Sequence, residues 1–158
     1  MNKNRKNERG QSLVELAVSL VLLLLLLSGA VEFGMAFFQF IQLRDAAQEG
    51  ALYGSINPNQ DANIYARVKG ASNSPIDLST LAESCPGTGG RICITYYDTT
   101  GTATNDNTKK CEGGGVKVEL TYDHKIFMPF MSAVVGPTIP LKASVTDTIL
   151  TPVCPAPP

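Results

Sequence analysis

Residues 16–31 carry no charged side chain and consist mainly of leucine and valine. A helix that spans a bilayer needs about 20 mainly apolar residues, with a lower limit of about 17. The helical pattern also continues past this run, because large apolar residues recur at spacings of three and four: Phe33, Phe37, Phe40 and Ile41. No proline occurs before Pro58. We therefore predict one continuous helix from about residue 12 to about residue 53.

A helix of this length would measure roughly 60 Å, about twice the hydrocarbon thickness of a bilayer. Its second half must therefore leave the membrane. The composition agrees, because polar and charged residues appear there: Arg44, Asp45, Gln48 and Glu49.

The start of the apolar run contains an acid, Glu15. A carboxylate at the centre of a bilayer costs about 2.5–3.5 kcal/mol, and less near the headgroups. Basic residues dominate the segment before it, with Lys3, Arg5, Lys6 and Arg9 against Glu8. By the positive-inside rule, the N-terminus is expected in the cytoplasm and the bulk of the chain outside.

Three interpretations of this N-terminus stay open. A cleaved signal peptide fits the basic start, and Ser28-Gly29-Ala30 meets the small-residue rule for cleavage, but the apolar pattern continues beyond it. A plain membrane anchor leaves Glu15 unexplained. The third is a type IV prepilin-like processing site between Gly10 and Gln11. Such a cut would create a positive amine on Gln11, one helical turn from Glu15, and the carboxylate could pair with that amine in its own chain or in a neighbour.

A longer stretch, "RGQSLVELAVSLVLLLLLLSGAVEFGMAFFQFIQLRDAAQEGALYG", resembles the TadE-like family of pilin-like proteins of the tight-adherence (Tad) pilus. The "RGQSLVE" start, the "EFG" after the leucines and the small-residue "AAQEGALYG" carry the resemblance. It implies an envelope protein that a prepilin peptidase cuts and that works with other pilin-like subunits and the pilus assembly machinery.

The remainder of the chain predicts a small extracytoplasmic head. A short helix is expected at about 60–69, a loop at 72–90, and three strands in "RICITYYD", "GVKVELTYDH" and "IPLKASVTDTIL". Apolar and polar residues alternate in these strands, which is typical of an antiparallel sheet with one wet face. The predicted fold is α+β and pilin-like: a membrane-spanning helix packed through its C-terminal half on a three-stranded antiparallel sheet. The expected divisions are a leader at 1–10, the helix at 11–54, and the head with its proline-rich tail at 55–158.

Four cysteines lie in this head: Cys85, Cys93, Cys111 and Cys154. An even number on one side of a membrane predicts disulfides in an oxidising compartment. If the three strands follow one another with the second in the centre, Cys111 and Cys154 lie at the same edge of the sheet. We therefore predict the pairs Cys111–Cys154 and Cys85–Cys93, with Cys85–Cys154 and Cys93–Cys111 as the main alternative.

Other functions receive little support from the sequence. The net charge of −1 gives no basic field for nucleic acid. His124 ends a strand without a nucleophile near it in sequence, so we expect it to face solvent and expect no enzyme and no cofactor. "NDN" at residues 105–107 only faintly suggests calcium ligands, because the spacing and closing glutamate of an EF-hand are missing.

A second acid, Glu32, closes the leucine run and shares a stripe with Ser28, Gln39 and Gln42 on the helix. It either marks the outer membrane interface or forms a second inter-subunit contact.

Taken together, the sequence predicts a minor pilin-like component or assembly factor of a Tad-type pilus. It would be a single-pass protein of the bacterial cytoplasmic membrane, in contact with lipid, or a subunit of the extracellular pilus. The alternative is a membrane-anchored structural or binding domain that never enters a filament.

Overall fold

The computed structural model of the protein describes residues 8–154. The basic residues Lys3, Arg5 and Lys6 and the last residues of the proline-rich tail lie outside this range. The first element is a 49-residue helix, α1 (Glu8–Ile56). It begins and ends a few residues beyond the predicted 12–53, because nothing near Gly10 breaks a helix and the backbone only turns at Asn57-Pro58.

The two halves of α1 have different surroundings. Every residue from Gly10 to Leu27 is exposed. By length and composition this is a helix that can cross a membrane. The second half buries one face of mostly small residues, namely Leu43, Ala46, Ala47, Gly50, Ala51 and Gly54. α1 therefore consists of an exposed apolar stem and an amphipathic half that belongs to the head.

Glycines allow the amphipathic half of α1 to approach its neighbours closely. A Cβ atom at Gly54 would lie 3.1 Å from methyl groups of both Ile64 and Val116. A Cβ atom at Gly50 would overlap Val68. These valine and isoleucine side chains belong to the second helix, α2 (Asp61–Gly70), and to the central strand of the sheet.

The sheet has five strands rather than the three predicted. They are β1 (Ala82–Glu83), β2 (Arg91–Tyr97), β3 (Ala103–Thr104), β4 (Gly115–Lys125) and β5 (Thr138–Thr148). The three long strands β2, β4 and β5 are antiparallel, with β4 in the centre and Val118 paired with both Ile94 and Val145. The expectation of a purely antiparallel three-stranded sheet is wrong because β1 pairs with β2 in parallel and β3 also pairs with β2. Each added strand has only two residues, too few to show an alternating pattern.

The core lies between this sheet and the two helices. β2 and β4 contribute Ile92, Val116, Val118 and Leu120, all fully buried, and α2 contributes Ile64 and Val68. The segment predicted as loop at 72–90 also takes part, because it contains β1 and a 3₁₀ turn (Leu78–Thr80) and buries Ile76 and Leu78. Its apolar residues thus close the core at the β1 side of the sheet.

The connection from β4 to β5 contains a short helix, α3 (Pro129–Val135), that was not predicted. Proline is well suited to the first turn of a helix, where its missing N–H costs nothing. Gly136 follows the helix with φ of 101°, a backbone conformation that favours glycine.

The structure joins Cys85 to Cys93 and Cys111 to Cys154. These are the two pairs predicted from the strand order. The second disulfide ties the segment that follows β5 to the loop that precedes β4. Backbone bonds support it, since Glu112 N donates to Pro152 O at 2.8 Å and Ile149 N donates to Gly114 O at 2.8 Å.

Candidate assembly site on the long helix

The predicted processing site lies at the exposed beginning of α1. The Gly10–Gln11 bond is in helical backbone, and apart from the helix's own neighbouring backbone no described atom lies within 4 Å of the position that a Cβ atom would take at Gly10. Glu15 follows Gln11 by four residues, so the two lie on one face of the helix. Glu15 is exposed, as are its neighbours on the stem, and its carboxylate is therefore open to contacts from other molecules.

The second acid of the helix has a different environment. Glu32 is only 5% exposed, and its carboxylate accepts three hydrogen bonds from the β4–β5 side of the head. His124 Nε2 lies 2.9 Å from Oε1. The backbone N–H of Phe127 donates to Oε1 at 3.1 Å and that of Met128 donates to Oε2 at 3.2 Å. Charge-assisted bonds of this kind offset the cost of removing a carboxylate from water.

His124 also contacts Gln39, which lies two helical turns after Glu32 on α1. Its Nδ1 lies 2.6 Å from Gln39 Oε1. With the amide in this orientation, both ring nitrogens face oxygen acceptors, and the imidazolium satisfies both. If the Gln39 amide is turned over, its N–H donates to Nδ1, and the neutral ring is satisfied as well. Both arrangements join α1 to the end of β4 through one buried polar cluster, which we call the Glu32 cluster (Glu32, Gln39 and His124).

The expectation that His124 faces solvent is wrong, because its side chain is 1% exposed. The alternation of residues in β4 could have predicted this burial. His124 has the same parity in β4 as Val116, Val118 and Leu120, which all point to the core. A histidine on that face must be buried once α1 covers it.

The polar stripe predicted on α1 turns toward the head. Gln39 is buried, Ser28 is partly buried, and Gln42 Nε2 donates to Ser74 O at 3.5 Å. Glu15 lies on the exposed stem. The inter-subunit role of Glu32 stays a prediction. Within the chain, this carboxylate binds the end of β4 and the start of the β4–β5 connection.

The residues that faintly suggested calcium binding form a turn. The Asp106 carboxylate accepts hydrogen bonds from Thr108 N at 2.9 Å and from Thr108 Oγ1 at 2.8 Å. These bonds lower the pKa of Asp106, the backbone bond most strongly. The arrangement is that of an aspartate that organises its own loop.

Comparison with known proteins gives one positive result. A search of curated proteins and a search of solved structures found no match. The family model described as TadE-like protein matches residues 10–52, and this confirms, over the stem and most of the core-packing half of α1, the resemblance seen in the sequence.

Proposed function

We propose that the protein is a minor pilin-like component or assembly factor of a Tad-type pilus, cut by a prepilin peptidase between Gly10 and Gln11. The family match associates the chain with the Tad pilus system and implies other pilus components as its partners. One observation supports the finer role. The segment that matches the family model includes a fully exposed apolar stem, and the one acid of this stem, Glu15, follows Gly10 by five residues.

The stem explains how the proposed assembly would operate. A carboxylate inside the bilayer is unfavourable, and a positive amine close to it reduces the cost. The cut at Gly10 would supply this amine on Gln11, in the same chain or in a neighbour. Because the stem is exposed on all sides, neighbouring stems could pack against it from any direction. The pairing of amine and carboxylate would then fix how far one stem is shifted along the helix axis relative to its neighbour.

The same proposal fixes the orientation. The basic N-terminal residues would stay in the cytoplasm and the disulfide-bonded head would lie outside, where oxidising conditions allow Cys85–Cys93 and Cys111–Cys154 to form. This places the cut at the cytoplasmic face of the membrane.

Processing is tested by the Gly10→Leu variant. A bulky side chain beside the scissile bond should block the peptidase, so intact-mass measurement should show a precursor that retains Met1, whereas the wild type should begin at Gln11. Gly34→Leu is the matched control, because Gly34 is also a helical glycine with no atom within 4 Å of a Cβ position. A wild-type protein that keeps Met1 would favour the alternative, a membrane-anchored domain outside any filament.

Assembly is tested by Glu15→Ala and Glu15→Gln. Both should insert into the membrane at least as well as the wild type, because the charge opposes insertion. Co-purification with other pilus subunits should fall in both. Ser19→Ala, one turn further along the same exposed face, is the control that should leave co-purification unchanged. Equal recovery of partners with Glu15→Ala and with Ser19→Ala would refute the docking role.

A further inference from the structure

The connection between β4 and β5 is unusually apolar for a surface turn. Residues 126–137, "IFMPFMSAVVGP", contain no charged side chain. Phe127 is 76% exposed and Val135 is 50% exposed, although both are large apolar residues. Surface connections are normally polar, and an exposed apolar turn therefore needs an explanation.

The position of this turn along α1 is fixed by the Glu32 cluster. The backbone N–H groups of Phe127 and Met128 both donate to the Glu32 carboxylate. Ile126 N also donates to Pro137 O at 3.1 Å, which closes the base of the turn. The turn therefore begins at the height of residue 32 on the helix.

This height coincides with the expected outer boundary of the membrane. A hydrocarbon core of about 30 Å corresponds to about 20 helical residues. Counted from Gln11, the first residue after the proposed cut, these residues end near Ala30. Counted from Leu16, the first after Glu15, they end near residue 35. Glu32 lies between these limits, so the exposed apolar side chains of the turn lie where lipid begins.

We propose that the turn at residues 126–137 inserts apolar side chains, Phe127 first among them, into the outer leaflet between the headgroups and the acyl chains. This rests on the part of the proposed function that has α1 cross a membrane, and it is independent of peptidase cutting and of pilus assembly.

Two neighbouring residues fit a lipid surface. Phe33 follows Glu32 on the helix and is 72% exposed, so apolar surface continues from the stem to the height of the turn. Lys125, exposed at the end of β4, directly precedes the turn, and in this arrangement its cation would lie at the level of the phosphate groups. The turn thus gives the head a second contact with the membrane besides the stem.

The absence of tryptophan from the sequence makes the depth of single positions measurable. Phe127→Trp places one fluorophore on the turn, at an exposed position that does not disturb the core. The full-length variant is reconstituted in vesicles of phosphatidylethanolamine and phosphatidylglycerol that contain phosphatidylcholine brominated at defined acyl positions. Leu24→Trp, in the middle of the stem, reports the bilayer interior. Leu150→Trp reports the far end of the head, because Leu150 N donates to Ser55 O near the last turn of α1.

The expected result is that Phe127→Trp is quenched by bromines near the glycerol end of the acyl chains and is shielded from aqueous iodide. Leu24→Trp should be quenched by bromines deeper in the chain, and Leu150→Trp by iodide alone. The proposal is overturned if Phe127→Trp behaves like Leu150→Trp while Leu24→Trp is quenched by lipid. It is also overturned if Phe127→Trp becomes shielded only when other pilus subunits are added, since the turn would then bind protein.

If lipid quenches neither Leu24→Trp nor Phe127→Trp, the membrane placement of α1 fails and the proposal fails with it. A failure of processing or of pilus assembly, in contrast, would leave all three quenching patterns unchanged.

Discussion

Removal of the Glu32 carboxylate should destabilise the head strongly. Glu32→Ala takes away the acceptor of three hydrogen bonds and leaves His124 Nε2 and the N–H groups of Phe127 and Met128 without their partner. A buried donor left without its acceptor costs about 1–3 kcal/mol, and more where that acceptor is charged, so the loss of three donors' partner costs about 3–5 kcal/mol in total. The two backbone N–H groups lie near the surface, where water can replace part of their bonds and so lowers their share of this cost.

Glu32→Gln removes the charge of the side chain and keeps its shape, so it measures the contribution of the charge. The amide keeps one acceptor oxygen. Its nitrogen is a donor and would replace either Oε2, where it would face Met128 N–H, or Oε1, where it would face His124 Nε2 and Phe127 N–H. One hydrogen bond and the charge assistance are lost, which costs about 1–3 kcal/mol. The expected order of stability is therefore wild type, then Glu32→Gln, then Glu32→Ala.

The assay is thermal unfolding of the full-length protein in detergent with both disulfides intact, followed by circular dichroism. For a chain of this size, 1 kcal/mol shifts Tm by about 2–4 °C, so a cost of 3–5 kcal/mol predicts a decrease of roughly 6–20 °C for Glu32→Ala. Glu49→Ala is the matched control on the same helix. It removes an ion pair with Arg67 whose side chains are 46% and 57% exposed, and such surface pairs contribute about 0–1 kcal/mol. A Tm for Glu32→Ala equal to that of Glu49→Ala would refute the structural role of the Glu32 cluster.

Two further predictions concern packing and pH. Gly50→Ala should have a free energy of unfolding about 1–3 kcal/mol lower than that of Gly34→Ala, because the added methyl group overlaps Val68, whereas a methyl group at Gly34 meets open space. Equal stability of the two variants in chemical denaturation would contradict this. The hydrogen bond from Lys117 lowers the pKa of Glu119 from its ordinary value of 4.5, so Glu119 stabilises the fold above that pH and loses its contribution as the pH falls through the lowered value. Glu119→Gln should accordingly flatten the acid side of the stability profile, and an unchanged slope would contradict the assignment.

Local patterns predicted the elements that are long enough to show a period. α1, β2, β4 and β5 are each covered by a helical or alternating arrangement of apolar residues, and their positions follow from it. The disulfide pairs also follow, because the order of the three long strands already brings Cys111 and Cys154 to one edge. β1 and β3 have two residues each and show no period, and α3 is a single short run that begins with proline.

The Glu32 cluster could not be predicted from neighbouring residues alone. Glu32 and His124 are separated by 92 positions in the sequence. The helix pattern placed Glu32 and Gln39 on one stripe, and the strand pattern placed His124 on the apolar face of β4. Only the packing of α1 on the sheet shows that these two faces meet at the same height.

The two acids at the ends of the apolar run lie in different environments. The carboxylate of Glu32 already has three donors within its own chain, and a contact with another subunit would have to replace bonds that exist. Glu15 lies on a stem whose residues are exposed on every side, so a contact there replaces only water or lipid. Because assembly is favoured by bonds that the single chain lacks, the free energy that drives docking is expected to come from Glu15. Glu32 is expected to keep the end of β4 bound to the docked stem through the bonds that it already makes.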